Sequence, residues 1–82
     1  MIKLIIYQYI NRLRKVDIVN YCNIHGINVN NDDLDIVYGY VKNDYKRFFD
    51  NPNVVLNEVK SKVSNYTYNE IMKLYEKYKN FI

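Results

Sequence analysis

The sequence predicts an all-α fold, a small compact bundle of four to five helices with short connections. Apolar residues recur at spacings of three and four along most of the chain, which is the period of an amphipathic helix. Residue types that begin helices stand directly before several of these apolar segments. The chain has 2 glycines and 1 proline, which are too few for the many turns of a β-protein.

The length limits the chain to one domain. With 82 residues, we expect a single helical domain over residues 1–82. A chain of this size buries only about 60% of the surface that its unfolded form exposes, so its core must be efficient or shared with a partner. The hydrophobic content of 49% is too high for a disordered segment.

The first predicted helix covers residues 2–13. The apolar side chains at helical spacing are Ile2, Ile5, Ile6, Tyr9 and Leu13. Few polar residues interrupt this segment, so we expect the helix to be central or covered by a partner. Apolar residues also alternate in this segment, so a β-strand over residues 2–10 is the alternative interpretation.

The second predicted helix covers residues 18–25, and it is delimited at both ends. Asp17 is the predicted N-cap, with Val16 and Tyr21 forming a hydrophobic staple around it. Gly26 is expected to end the helix in the left-handed conformation, which glycine adopts without strain. Ile27 then packs back on the last turn.

The third predicted helix, residues 31–49, is the longest. Asn30 is its predicted N-cap, and Val29 and Leu34 occupy the positions of a hydrophobic staple. Asp32 and Asp33 lie in the first turn, where carboxylates interact favourably with the helix dipole. Its apolar stripe consists of Leu34, Val37, Tyr38, Val41, Tyr45 and Phe48.

Two further helices complete the predicted bundle. Asn51 is the predicted N-cap of a helix over residues 52–63, and Pro52 suits its first position because that amide needs no partner. Thr67 and Glu70 are spaced as a capping box that begins the last helix. The apolar stripe of this helix consists of Ile71, Leu74, Tyr75, Tyr78 and Phe81.

The residues that could bind a metal do not complete a site. Cys22 and His25 are three residues apart, but zinc needs three or four ligands, and the chain has no second Cys or His. Asparagines and aspartates from residue 28 onward resemble a calcium loop, yet Asp33 and Gly39 stand where that loop needs glycine and glutamate. We therefore predict no metal and no cofactor.

Catalytic motifs are also incomplete. Cys22 and His25 could form a thiol–imidazole pair, but no third group that would orient the imidazole can be identified. The sequence contains no glycine-rich phosphate loop and no carboxylate pair of known catalytic spacing. We therefore predict that the protein is not an enzyme and has no catalytic residue.

The cellular location follows from the first residues and from the cysteine content. The apolar segment MIKLIIYQYI is too short to cross a membrane, and no signal-peptide cleavage site follows it. Cys22 is the only cysteine, so the chain forms no internal disulfide. We expect a cytoplasmic protein without a membrane anchor.

The aromatic content predicts a protein–protein interaction. The chain has 10 tyrosines and 3 phenylalanines, more rings than a small bundle can bury. Tyrosine is enriched at interfaces because it combines an apolar ring with a polar tip. We expect a homodimer, or docking on a larger protein, through Tyr- and Ile-rich helix faces. The predicted partner-binding residues are Tyr7, Tyr40, Tyr45, Arg47, Tyr68 and Tyr75.

Nucleic-acid binding is the alternative. The net charge of +3 is concentrated in residues 42–82, where lysines alternate with tyrosines that could stack on bases. The predicted contacts are Lys42, Lys46, Arg47, Lys73 and Lys77. A helix-turn-helix is not expected, because the helix that would read DNA opens with Asp32, Asp33 and Asp35, which repel phosphate.

Two resemblances follow from these motifs. Gly26-Ile27-x-Val29, followed by an N-cap and Leu34, resembles the helix-extended-loop-helix of small SAP- and LEM-type modules. Over most of the chain the sequence resembles a family of short helical proteins of unknown function from Firmicutes. This second resemblance is carried by Asp17-Ile-x-x-Tyr21, Gly26-Ile-x-Val29, Val37-Tyr38-x-Tyr40, Asn51-Pro52 and Thr67-Tyr68-Asn69. It implies a helical cytoplasmic protein and assigns no site residue.

Overall fold

A computed structural model describes the backbone of residues 2–81 and the side chains of residues 3–80. Within this range all regular elements are helical, so the all-α prediction is confirmed. The elements are α1 (Ile2–Arg12), α2 (Lys15–Ile24), α3 (Asn31–Asn43), α4 (Tyr45–Asp50), α5 (Pro52–Lys60) and α6 (Asn65–Tyr78), followed by a 3₁₀ turn over Lys79–Phe81. The strand alternative for residues 2–10 is wrong. Ile2 and Phe81 were also predicted to point inward, but their side chains lie outside the described part of the structure.

The predicted number of four to five helices is too low, because the long third helix is two helices. Asp44 has φ −122° and ψ 13°, which interrupts the helical backbone between α3 and α4. Its N–H donates to the Tyr40 carbonyl at 2.8 Å, and its own carbonyl accepts from the Phe48 N–H at 2.9 Å. Asp44 therefore ends α3 and begins α4, a position that suits a residue with low helix propensity.

Each helix packs against one or a few of the other helices. α2 and α1 pack on α3, α4 packs on α5, and α5 packs on α6. The Cα radius of gyration is 12.2 Å. Among the described side chains, the buried apolar ones are Leu34 of α3 and Val55, Leu56 and Val59 of α5. The core is therefore thin, and α5 contributes most of it.

The boundaries of α2 are partly as predicted. The helix begins one turn early, at Lys15, so Asp17 is not the N-cap and the proposed Val16–Tyr21 staple is wrong. Asp17 instead accepts the N–H of Arg14 at 2.8 Å, which satisfies a free amide from inside the first turn. At the other end, Gly26 has φ +67°. The Ile27 N–H donates to the Cys22 carbonyl at 2.8 Å, as in a Schellman motif.

The predicted start of α5 is confirmed, and the predicted start of α6 is wrong. Pro52 begins α5, as predicted, although α5 ends at Lys60 and not at residue 63. The last helix begins at Asn65 with Ser64 as its N-cap, so the capping box that begins at Thr67 is wrong. The Thr67 N–H donates to Ser64 Oγ at 3.3 Å. Serine and threonine are both common N-cap residues, and here Thr67 makes a tertiary contact instead.

That tertiary contact is a buried carboxylate, which connects the first turns of α3 and α6. Asp33 is 6% exposed and Thr67 2%. Asp33 Oδ2 accepts from Thr67 Oγ1 at 2.6 Å, from Ser64 Oγ at 2.8 Å and from the Ser64 N–H at 3.1 Å. Asn30 Nδ2 is a fourth donor at 3.2 Å, while Asn30 caps α3 by accepting the Asp33 N–H at 2.8 Å. We call this group the Asp33 cluster.

The Asp33 cluster stabilises the charged carboxylate. The hydrogen bond from Thr67, followed by those from Ser64 and Asn30, lowers the pKa of Asp33 despite its burial. The N-terminal ends of α3 and α6 both meet at this carboxylate, and the positive ends of helix dipoles favour a negative charge. Asp33 was predicted to lie at a helix start, but its bonds to Ser64 and Thr67 were not predicted.

The two glycines are expected to respond oppositely to the same substitution. Gly26→Ala should lower the free energy of unfolding by about 1 kcal/mol, because its positive φ strains a residue with a Cβ. Gly39→Ala should raise it by about 0.5–1 kcal/mol, because Gly39 lies inside α3 with no atom near the added Cβ. Urea unfolding of both variants measures the two shifts, and shifts of the same sign would contradict these helix boundaries.

Candidate interaction surface

The outward face of α1 is apolar although it lies on the surface. Leu4 is 58% exposed, Ile5 67% and Tyr9 65%. Gln8 and Arg12 lie on the same side of the helix, since residues four apart are neighbours on a helix surface. We call Leu4, Ile5, Gln8, Tyr9 and Arg12 the α1 face.

The inner side of α1 packs against α3 and α4. The ring of Tyr7 lies 5.0 Å from the Tyr45 ring and 5.6 Å from the Phe49 ring, between centroids. Ile6 and Leu13 are half-buried on this side, whereas Ile5 and Tyr9 point outward. The predicted inward stripe of α1 is therefore wrong for Ile5 and Tyr9. Apolar residues surround α1, so its period alone does not select the buried side.

The C-terminal end of α1 is held by side chains from α3. Lys42 Nζ donates to the Ile10 carbonyl at 3.0 Å and to the Asn11 carbonyl at 2.9 Å. The Tyr38 hydroxyl donates to the Leu13 carbonyl at 3.2 Å. These donors satisfy carbonyls that a helix end leaves without partners. The α1 face is therefore presented in a defined orientation.

The charge around the α1 face has one sign. Residues 1–16 contain Lys3, Arg12, Arg14 and Lys15 and no acidic residue. Lys15 pairs with Asp35 of α3, and Arg14 lies 3.8 Å from Asp17. Lys3 and Arg12 are exposed on α1 itself. The apolar centre of the α1 face is thus bordered by positive charge.

The predicted partner-binding tyrosines make contacts within the chain. Tyr7 and Tyr45 pack on each other, and Tyr75 lies 5.9 Å from the Phe48 ring. The Tyr40 hydroxyl donates to Glu58 at 3.3 Å. Lys60 Nζ lies over the Tyr68 ring, 5.5 Å from its centroid. All five rings are half-buried, so the structure does not bring them together as one exposed surface. The exposed residues of the α1 face were absent from that set.

Arg47 of α4 forms an ion-pair cluster with α5. Its Nη2 lies 2.9 Å from Glu58 Oε1 and 3.2 Å from Asp44 Oδ1, and its Nη1 contacts the other Glu58 oxygen. The hydrogen bonds from Arg47, then its charge, lower the pKa of Glu58 from 4.5 to about 2, against the opposing effect of desolvation. The same bonds raise the pKa of the Arg47 guanidinium. This cluster connects α4 to α5 at the surface.

Acid is expected to destabilise the fold between about pH 4.5 and pH 2, because folding lowers the pKa of Glu58 across that interval. A carboxyl whose pKa is lowered binds fewer protons in the folded state than in the unfolded state. Its contribution is therefore complete above about pH 4.5 and is lost as the pH falls through the folded pKa. Asp33 acts in the same direction. Urea unfolding at several pH values should give a shallower acid dependence for Glu58→Gln, and an unchanged dependence would contradict this role.

The predicted nucleic-acid contacts lie on α3, α4 and α6, and several already have partners. Arg47 pairs with Glu58 and Asp44, and Lys73 lies 3.2 Å from Glu70. Lys42 caps α1. Lys46 Nζ lies 5.9 Å from the centroids of the Tyr7 and Tyr45 rings, and Lys77 Nζ lies 5.4 Å from that of Tyr78. The carboxylate partners of Arg47 and Lys73 reduce the positive charge that these two residues offer to a phosphate backbone.

Cys22 and His25 lie at the end of α2. The His25 ring packs on Tyr21 with centroids 4.2 Å apart. Burial, and secondarily the charge of Glu70, raises the pKa of the Cys22 thiol, which disfavours the thiolate that a nucleophile needs. Within the described residues, no three Cys, His, Asp or Glu side chains are grouped so as to hold a metal ion.

The comparisons with known proteins add no relative. No family model, curated protein or solved structure matches this chain. The resemblance to short Firmicutes proteins therefore stays a prediction. In the described part of the chain, none of the helices has the length and apolar character needed to span a membrane.

Proposed function

We propose that this protein is a non-enzymatic interaction domain that docks on a larger protein through the α1 face. The observation that carries the proposal is the exposure of Leu4, Ile5 and Tyr9 on one helix that is anchored at its other side. Apolar residues grouped on one exposed helix face are typical of interaction sites. We place this function in a reducing compartment such as the cytoplasm, because Cys22 is the only cysteine.

The spacing within the α1 face suits a helix-in-groove interaction. Ile5, Tyr9 and Arg12 are at positions i, i+4 and i+7, which is the pattern of anchors that enter an apolar groove. Tyrosine and arginine are also the residue types that contribute most often to interface hot spots. The partner is therefore a protein with an apolar groove.

The charges favour a different protein over a second copy of this chain. Antiparallel pairing of two α1 helices would bring Lys3 of one chain near Arg12 of the other, and parallel pairing would bring each residue near itself. Both arrangements oppose like charges, which disfavours association. A groove with an acidic rim would instead attract Lys3 and Arg12. We propose a partner of that chemistry.

Capture from native extract with matched variants tests this proposal. Ile5→Asp should weaken partner binding by at least about tenfold, because it buries an unpaired charge in the groove. Arg12→Glu should also weaken binding, and added salt should weaken the wild-type complex. Val54→Asp introduces the same charge at an exposed position of α5, so it should bind like wild type.

Two results would contradict the proposal. The first is partner binding that is equal for Ile5→Asp and Val54→Asp. The second is a salt-insensitive dimer of the isolated chain, measured by light scattering, that Ile5→Asp dissociates. Retention of a mixed RNA or DNA pool that weakens steeply with salt would favour the nucleic-acid alternative instead.

A further inference from the structure

An apolar pocket that is partly open to the surface lies between α1, α3, α4, α5 and α6. Its volume is about 320 Å³, and its walls include Val41, Phe48, Leu56, Val59 and Ile71. A smaller apolar cavity of about 80 Å³ lies on the α2 side and shares Val37 and Ile71 with the pocket. The pocket is a concave apolar site of the kind in which small molecules bind.

The pocket lining offers water few hydrogen-bond partners. Among the described residues, every side chain that lines the pocket is aliphatic or aromatic, and the only side-chain oxygens among them belong to Tyr40 and Tyr45. The Tyr40 hydroxyl donates to Glu58 at 3.3 Å, and the Tyr45 hydroxyl donates to Asn11 at 3.5 Å. An ordered water needs two to four polar partners, so this lining favours an apolar occupant over ordered water.

We propose that this pocket binds a small uncharged molecule that is mostly hydrocarbon. Its volume of about 320 Å³ falls in the range of small-molecule sites, which begins near 300 Å³. Taking about 30 Å³ for each non-hydrogen atom, as for a water in the liquid, the ligand has about ten such atoms. The described lining residues include no charged side chain that could pair with an ionic group, so a charged ligand would lose its hydration without compensation.

The ligand would also complete the thin core. Val55, Leu56 and Val59 are buried and line the pocket, whereas Val37, Val41 and Ile71 are half-buried. A hydrocarbon between them would add dispersion contacts with these side chains. Because such a ligand binds the folded chain and not the unfolded one, it raises the melting temperature.

Titration with naphthalene, followed by amide chemical shifts and by the melting temperature, tests the proposal on the full chain. We expect saturable shifts at residues of α3, α5 and α6 that line the pocket, and a higher melting temperature. Val41→Phe fills the pocket and should weaken binding at least about tenfold, while Val41→Leu should weaken it less. Val54→Phe adds the same ring at an exposed position outside the pocket, so its affinity should match wild type.

Val41→Leu makes a smaller change at the same position, so it tests the pocket even if Val41→Phe does not fold. The absence of saturable shifts up to the solubility limit of naphthalene would overturn the proposal. Equal affinity for wild type and Val41→Leu, or shifts confined to the α1 face, would overturn it as well.

Discussion

Asp33→Asn should lower the free energy of unfolding by about 2–3 kcal/mol. The carboxylate accepts four hydrogen bonds in a site that is 6% exposed, and hydrogen bonds to a charged group contribute about 1.5–3 kcal/mol. An amide in its place removes the charge that the two helix N-termini favour. For a domain of this size, the loss corresponds to a melting temperature lower by about 10–20 °C.

Asp32→Asn is the matched control for this substitution. Asp32 lies next to Asp33 in the first turn of α3 but is exposed. Its carboxylate contributes through the helix dipole alone, so its loss should cost less than about 1 kcal/mol. Thermal and urea unfolding of the two variants measure the difference. Equal stability losses would show that the Asp33 cluster does not connect α3 to α6.

Leu56→Ala should lower the free energy of unfolding by about 3 kcal/mol. Leu56 of α5 is 5% exposed and faces the apolar pocket between the helices. Truncating a buried leucine loses the transfer free energy of the removed methyl groups and adds a cost for the enlarged cavity, in total about 2–5 kcal/mol.

Val54→Ala provides the comparison for Leu56→Ala within the same helix. Val54 is 52% exposed, so its truncation should change the free energy of unfolding by less than about 0.5 kcal/mol. Equilibrium urea unfolding gives both values with the same slope if unfolding stays two-state. A loss below about 1 kcal/mol for Leu56→Ala would show that α5 is not the centre of the core.

The features that sequence predicted correctly depend on local chemistry. Gly26 ends α2 because a left-handed backbone is needed at one position, and Asn30 caps α3 through the amide three residues later. Pro52 begins α5 for a reason that is equally local. The helical spacing of Val55, Leu56, Val59 and Val63 predicts that these side chains face inward. The first three are buried in α5, whereas Val63 lies after the end of α5 and is half-buried.

The features that sequence missed depend on contacts between distant residues. Asp33 reaches Ser64 and Thr67 across 31 and 34 residues, and no local pattern indicates such a bond. Thr67 takes part in this contact, and Ser64 is the N-cap of α6. In α1 the apolar residues surround the helix, so their helical spacing does not determine which side of the helix is buried. The thin polar face of α1 was the one signal that its exterior is apolar.

Photo-crosslinking from the α1 face tests the proposed function most directly. A photoactivatable phenylalanine analogue placed at Ile5 or Tyr9 should form a covalent product with one larger protein in living cells. The same analogue at Ile24, which is 80% exposed on α2, should form none with that protein. Crosslinks from position 24 without crosslinks from positions 5 and 9, or products that contain only two copies of this chain, would contradict docking through the α1 face.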